Sequence, residues 1–370
     1  MNDEDLLGKF RKKINEIDTS LIELLEKRAS VAKEIGEYKK EKGIPIRDWG
    51  REQQIIKKLS EKKLDFMAPE DLVKIYKEIM GSCRHLEHLE ENVGFLGPEG
   101  TFCEIAARQF FSDAGTIFTP YDSKWQLFRA LEADSIDYAI CPIENSTQGT
   151  VTETLDLLLD SSTISIGGEI EIKVHHNLIA RSDVKEQDIE LICSHPQAIA
   201  QTRKYLRENF PGAKIKETLS TASAVKFVKE SSENYAAIGT ELAAKKYGLK
   251  VLHQAIEDNP NNQTRFIIIW KKSMHATGND KTSIIFTVKH EPGSLFSALE
   301  AFASNQINLT KIESRPAKHL PEIWQYNFFT DFEGHVNDAN VKKALNQLAE
   351  HTIFMKVLGS YPKHENKEST

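Results

Sequence analysis

Three cations on one predicted helix are the first residues whose types and spacing suggest chemistry. Residues 5 to 42 contain no proline, and Leu7, Ile14, Leu21, Arg28 and Ile35 recur every seven, interleaved with Phe10, Ile17, Leu24, Val31 and Tyr38. That is a heptad seam of the kind that packs in a helical bundle or coiled coil. Arg28 takes a seam position where an apolar side chain belongs, so its charge must be paired, set register or serve a ligand. Lys39 follows on nearly the same face, about 16 Å along the axis, so two long side chains can converge on one small anion. Arg11 lies about 25 Å from Arg28 along the helix, too far to reach the same ligand in one chain. If it belongs to the site it comes from a second copy, in an intertwined helical dimer. Gly43-Ile-Pro45 stops this helix, and Asp48 opens a second, through about Leu64, with Arg51 and Glu52 in its first turn. A third follows Pro69, with Glu87 four residues past Cys83 on its buried face, where desolvation raises a carboxyl pKa.

A second set of polar residues sits at predicted strand ends. Tyr138-Ala-Ile-Cys141 runs through Pro142 into Glu144-Asn145-Ser146-Thr147; Ser194-His195-Pro196-Gln197 precedes Gln201; Asn262-Gln-Thr264-Arg265-Phe266 leads into the apolar Ile267–Trp270. Strand ends that deliver hydrogen-bonding groups are where α/β proteins hold ligands, although each cluster taken singly also reads as a turn or helix cap. Gly97-Pro98-Glu99-Gly100 gives a tight turn and a helix start, whose N–H groups favour an anion such as a carboxylate. It is not GxGxxG, and no acidic residue follows at the ribose spacing, so a dinucleotide site is disfavoured. His85 with His88, and the pair His175-His176, have no further ligands in register and read as solvated surface rather than metal sites.

Positioning these residues takes more than one core. The chain has 370 residues, which implies two or three domains. It is 40% hydrophobic and 28% charged without a long apolar run, so neither a membrane span nor a secretory segment is expected. A net charge of −7 leaves no nucleic-acid footprint. Four cysteines without CxxC spacing suit a reducing cytoplasm and argue against disulfides or zinc. Alternating strand and helix patterns from 93 to 270, including one helix over Pro196–Asn209, cross near 176–180 and return near 265. They imply two α/β lobes around a hinged cleft. After a polar linker, Lys271–Lys281, the order βαββαβ predicts a ferredoxin-like α+β sheet with helices on one face. A polar tail, 362–370, follows.

The constellation Arg11, Arg28, Lys39, Asp48, Arg51, Glu52, Cys83 and Glu87 on three helices resembles the all-helical chorismate mutases. The clusters at 97–100, 144–147, 194–201 and 262–266 resemble prephenate dehydratase. His290-Glu-Pro-Gly-Ser-Leu-Phe296 and Glu313-Ser-Arg-Pro316 resemble the two signatures of the ACT regulatory domain. In that order they resemble the bifunctional chorismate mutase–prephenate dehydratase family over nearly the whole chain. The resemblance implies a multidomain protein. Residues 1–91 would form an all-α mutase domain, 93–270 a two-lobed α/β dehydratase domain like a periplasmic binding protein, and 282–361 an ACT domain.

The resemblance also assigns roles. Arg28 and a partner copy's Arg11 would grip the carboxylates of chorismate, Lys39 would face its ether oxygen, Asp48 and Glu52 would hold its ring hydroxyl, and Arg51 would orient that pair. Cys83 and Glu87 stand where relatives often have serine and glutamine; a glutamate donates only when protonated, so an acid-shifted mutase optimum is expected. In the dehydratase, Thr264 would donate to the leaving hydroxyl of prephenate and Arg265 bind carboxylate, with Phe266 completing the triplet. Asn145, Ser194 and Gln201 would position substrate, and Glu144 would orient neighbours. Phenylalanine would bind Gly293, Ser294 and Leu295, with Glu313 and Ser314 at the rim. The implied protein is a cytoplasmic homodimer or higher oligomer that uses no cofactor or metal and binds neither nucleic acid nor membrane. Two alternatives stay open: a helical segment that only dimerises, and a non-catalytic amino-acid or anion sensor.

Overall fold

A computed structural model describes residues 3–42, 49–86, 90–317 and 325–363. Asp48, Glu87 and His88, and residues 364–370 of the polar tail, lie outside them. The chain forms two units, one of residues 1–91 with 111–117 and one of residues 92–110 with 118–370.

The first unit is helical: α1 Asp3–Lys42, α2 Trp49–Ser60 and α3 Pro69–Leu86. Within the chain, α1 turns Leu25, Arg28, Ala29, Ala32, Gly36 and Lys39 partly or wholly out of solvent. The heptad positions on its other faces stay open, with Leu7 50%, Ile14 55%, Leu21 52%, Ile17 65% and Leu24 62% exposed. Arg28 therefore packs toward α3 rather than along the apolar stripe that carries Leu7, Ile14 and Leu21.

A first α/β lobe contains β1 Glu91–Leu96, α4 Phe102–Phe110, β2 Thr116–Tyr121, α5 Lys124–Glu132, β3 Tyr138–Asn145, β4 Gly149–Thr150, α6 Thr152–Asp160 and β5 Ser165–Lys173. A second lobe contains β6 Asn177–Ala180, β7 Leu191–Ser194, α7 Pro196–Gln201, α8 Arg203–Asn209, β8 Lys214–Glu217, α9 Thr221–Glu230, β9 Tyr235–Gly239, α10 Glu241–Tyr247 and β10 Lys250–His253. Strand β11, Gln263–Trp270, returns to the first lobe, giving sheet orders β2-β1-β3-β11-β5 and β10-β6-β9-β7-β8. The two crossings run side by side: Val174 N–H donates to Asn262 O (2.9 Å) and Ile256 N–H to His176 O (2.8 Å).

The helix expected over Pro196–Asn209 is two helices. Asp258 N–H donates to the Gln201 carbonyl (2.7 Å), and the Asp258 carboxylate accepts the Lys204 and Tyr205 N–H groups (2.9 and 3.2 Å). Asp258 thus ends α7 and caps α8, satisfying orphan groups of both.

The remaining elements are β12 Asp280–Val288, α11 Ser294–Ala303, β13 Leu309–Pro316, β14 Tyr326–Glu333, α12 Ala339–Glu350 and β15 Thr352–Pro362. Their sheet, β13-β14-β12-β15, is antiparallel throughout and has the expected βαββαβ connectivity. Ile284, Phe286 and Phe332 bury against α11 and α12. Ile285, Phe329, Leu358 and Tyr361 bury in one core with Leu127, Leu158, Ile267 and Ile269 of the first lobe. This second face fastens the ferredoxin-like sheet directly to the strand that carries Thr264. Among the described residues no helix is long and apolar enough to cross a membrane.

Candidate active sites

On the helical unit, Arg28 Nη1 donates to Cys83 Sγ at 2.9 Å, placing α1 and α3 together at that point. Lys39 is partly buried on the same side of α1, while Arg11 and Arg51 are exposed. Glu52 is salt-bridged to Arg84 Nη1 at 2.7 Å, and Arg84 Nε lies 3.7 Å from Glu91. Arg84, which sequence reasoning did not single out, thus holds the carboxylate expected to be oriented by Arg51. The four cysteines are free and buried. Among the described residues no group of three or more His, Cys, Asp or Glu side chains gathers as a metal site.

In the second unit, Asn145 ties the end of β3 to the start of β11. Its two Nδ2 hydrogens are shared among Thr264 Oγ1 (2.8 Å), Asn262 Oδ1 (2.9 Å) and Gln263 O (3.1 Å). Its Oδ1 accepts the Thr147 and Gln148 N–H groups (3.0 and 3.1 Å), forming an Asx-type turn. Thr147 Oγ1 also donates to Asn262 Oδ1 (3.1 Å). Thr264 Oγ1 is therefore an acceptor from Asn145, and no described acceptor takes its own hydrogen.

Strand alternation turns Arg265 to the opposite face. There its guanidinium donates to Asp331 Oδ2 (2.8 Å), Glu144 Oε2 (3.0 Å) and Glu169 Oε2 (3.1 Å). Burial opposes its charge, but the surrounding Asp331, Tyr361, Glu169 and Glu144 hold its pKa above the ordinary value. Arg265, expected to bind a substrate carboxylate, is bonded to three protein carboxylates, one of them from the ferredoxin-like sheet. Lys281 Nζ adds a second cation to Glu169 (2.7 Å), and Lys311 Nζ reaches Glu144 (3.1 Å). Phe266 is 1% exposed and belongs to the core.

Ser194, expected to position substrate, is likewise paired within the protein. Its Oγ is fully buried and donates to Ile238 O at 2.7 Å, locking β7 to β9 rather than offering a hydrogen to a ligand. Gln201 Oε1 meets His176 Nε2 at 2.8 Å, and the His176 ring lies edge-on to Phe102 with centroids 5.8 Å apart. The reading of the histidine pair as solvated surface holds for His175, whose side chain is 52% exposed and bonded to Glu257 (2.7 Å). It fails for His176, which is 3% exposed.

The turn at 97–100 is not free for an external anion. Gly100 N–H donates to the chain's own Glu104 at 2.7 Å, and Glu104 also takes Arg108 (2.8 Å) and Lys246 (2.7 Å). Thr240 Oγ1, while capping α10 by accepting Ala243 N–H (3.0 Å), donates to Gly100 O (2.6 Å). With φ at +83° and a hypothetical Cβ only 2.7 Å from that of Ala243, position 100 admits only glycine at this lobe-to-lobe contact.

At the proposed effector motif, Gly293 has φ +85°, a left-handed conformation that starts α11 at Ser294. Lys311, Glu313 and Arg315 of β13 turn toward the first lobe: Thr150 Oγ1 bonds to both Glu313 and Lys311 Nζ (3.0 Å to the latter), and Arg315 donates to Thr152 O (2.8 Å). Ser314 is exposed on the other face, so Glu313 and Ser314 do not share a rim.

Comparison with known proteins accords with these three regions. The chorismate mutase type II family matches residues 10–88, prephenate dehydratase 93–274 and the ACT domain 282–350. The chain is 42% identical over 361 residues to the bifunctional chorismate mutase/prephenate dehydratase of Aquifex aeolicus, covering 96% of this chain and 98% of the relative. A prephenate dehydratase solved with L-Phe from Arthrobacter aurescens superimposes with TM-score 0.68 at 35% identity, covering 74% of this chain and 90% of that one. A protein described as a novel type of quorum quenching acylase has TM-score 0.67 at 28% identity, covering 74% of this chain and 98% of that one. With its helical, two-lobed and ferredoxin-like regions in this order, the chain belongs to the family of bifunctional chorismate mutase/prephenate dehydratases.

Proposed function

We propose that this chain performs both reactions of its family, rearranging chorismate to prephenate and converting prephenate to phenylpyruvate, and that phenylalanine restrains it through residues 282–350. The observation that carries the dehydratase reading is the Asn145–Thr264 bond, which leaves the Thr264 hydrogen for the departing hydroxyl of prephenate. A threonine hydroxyl is a poor acid, so its part is hydrogen bonding to the leaving oxygen rather than proton release. Asn145, Asn262 and Gln201 position the dianion; Glu144 and Arg265 stiffen the back of the strand pair.

For the mutase, Arg28 and Lys39 on one face of α1, with Arg11 of a second copy, form a cationic cradle. The rearrangement needs no nucleophile, only the reactive conformer and stabilisation of charge growing on the ether oxygen. Glu52 is held through Arg84 rather than Arg51 alone. The oligomer is at least a dimer, because the open stripe of α1 and the placement of Arg11 both call for a second copy.

Phenylalanine is the effector supported by the L-Phe complex of the Arthrobacter aurescens relative; in this chain its contacts would be Gly293, Ser294 and Leu295, at the left-handed turn that opens α11. The four buried free cysteines fit a cytoplasmic setting. Acyl hydrolysis through a covalent intermediate is disfavoured. It needs a nucleophile paired with a base, whereas Ser194 is committed to Ile238 O, and burial pushes the thiols of Cys103 and Cys193 up to about 12. The test is a coupled assay of purified protein with chorismate, with and without phenylalanine. Prephenate and then phenylpyruvate should appear, and phenylalanine should slow the second step. A protein that binds phenylalanine but turns over neither substrate would be the sensor instead.

A further inference from the structure

Three buried side-chain atoms beside the two crossings between the lobes have no hydrogen-bond partner among the described residues: His176 Nδ1, Gln201 Nε2 and Asn262 Nδ2. Buried polar atoms are normally paired, so three orphans on neighbouring residues mark groups that a ligand completes. The neighbourhood is continuous. Asn262 Oδ1 is taken by Asn145, beside Thr264; Asn262 O accepts Val174 N–H; and His176, two residues on, meets Gln201. Gln201 Oε1 can only accept, so His176 Nε2 carries a hydrogen, and Nδ1 becomes a second donor only in the imidazolium form.

We propose that His176, as its imidazolium, is the general acid of the dehydratase cleft, with Gln201 holding Nε2–H so that Nδ1–H faces the departing hydroxyl. This rests on the reading of the cleft as a prephenate dehydratase. In the step, the ring C–O bond breaks with its electron pair going to oxygen, which takes the Nδ1 proton and leaves as water. The bond from the ring to its carboxylate breaks, its pair enters the ring to complete the aromatic system, and the carboxylate leaves as CO₂. The dianion plus one proton thus becomes monoanionic phenylpyruvate, CO₂ and water, and solvent reprotonates the imidazole.

The surroundings suit a proton that is delivered only when substrate is present. Burial pushes the His176 pKa down, and nearby His175 adds to this, against the pull of Gln201 and Glu257. Glu257 reaches the His176 backbone N–H (2.9 Å) and shares its other oxygen with His175 Nδ1 (2.7 Å), while the facing Phe102 ring is uncharged. A dianion entering the cleft favours the charged ring. Binding is then coupled to proton uptake, and Thr264 and Asn262 are left to hold rather than to protonate.

The test uses the full chain and compares wild type, His176→Gln and Gln201→Leu. Dehydratase kcat and KM would be measured from about pH 6 to 9, with chorismate turnover on the same samples as the folding control. Wild-type kcat should fall as pH rises through the His176 pKa of the complex. In His176→Gln, kcat should drop about 100-fold or more and lose that pH dependence, with mutase turnover unchanged. Gln201→Leu should move the descending limb to lower pH, because the imidazolium loses its acceptor. His176→Gln with kcat within about threefold of wild type, or with the limb unmoved, would overturn the proposal. A wild-type chain inert toward prephenate would instead overturn the dehydratase reading on which it rests.

Discussion

At the scale of the residue, two hydroxyls expected at the dehydratase substrate, Thr264 at the leaving hydroxyl and Ser194 as a positioning group, have opposite hydrogen-bond directions. Ser194 donates to the Ile238 carbonyl, while Thr264 accepts from Asn145 and keeps its hydrogen. Ser194→Ala should therefore lower stability by about 1–2 kcal/mol, since a fully buried carbonyl loses a donor, and leave dehydratase kcat within about threefold. Thr264→Ala should cut kcat by about 100-fold or more at little cost in melting temperature, with mutase turnover intact. Steady-state kinetics and thermal melts on both variants decide; a Ser194→Ala protein as inactive as Thr264→Ala would return Ser194 to the substrate. The Thr264-Arg265 contrast was in principle legible, because adjacent residues of a strand face opposite ways. What no linear reading supplies is the identity of the second face: the carboxylate of Asp331, 66 positions away, is brought to Arg265 only by docking of the ferredoxin-like sheet. The histidine pair is a second case, since alternation predicts one inward and one outward ring without saying that the inward one meets Gln201.

At the scale of the element, strands and helices were readable from period and punctuation, and the joints between them were not. The alternation over 93–270 and the βαββαβ order both carry through to the sheets. The break at Thr202 depended on Asp258, a residue of the return crossing, and the 97–100 turn depended on Lys246 of the other lobe. That second joint has a pH signature. Burial alone would raise the Glu104 pKa, but the Gly100 N–H and the Lys246 and Arg108 cations overcome it and hold the folded value below the usual 4.5. A depressed carboxyl pKa contributes stability that is full above the unfolded value and lost as pH falls through the folded one. Glu104→Gln should thus melt several degrees below wild type near neutral pH, with the gap closing as pH drops below about 4. Melting curves across that range that stay parallel would show that the latch between α4 and α10 owes nothing to charge.

At the scale of the whole molecule, the long helix poses the remaining demand. Leu7, Ile14, Leu21, Ile17 and Leu24 are all at least half exposed in one chain, and burying such a leucine is worth about 1.5–3 kcal/mol. A row of five is ample to drive association, and a second copy also brings the Arg11 that the first cannot place near its own Arg28. Under the proposed function, assembly and mutase chemistry would be one event, whereas Thr264, Asn145, His176 and Gln201 all lie within a single chain. Leu21→Glu should accordingly divide the two activities. Chorismate turnover should fall by about 100-fold or more, because the cationic cradle loses its contribution from the partner. Prephenate turnover should stay within about threefold, and the α1 contact should be lost in sedimentation even if the ferredoxin-like sheets still pair. Equal loss of both activities would mean that the dehydratase cleft also depends on the helical contact, and the mutase site of one chain would have to be sought without Arg11.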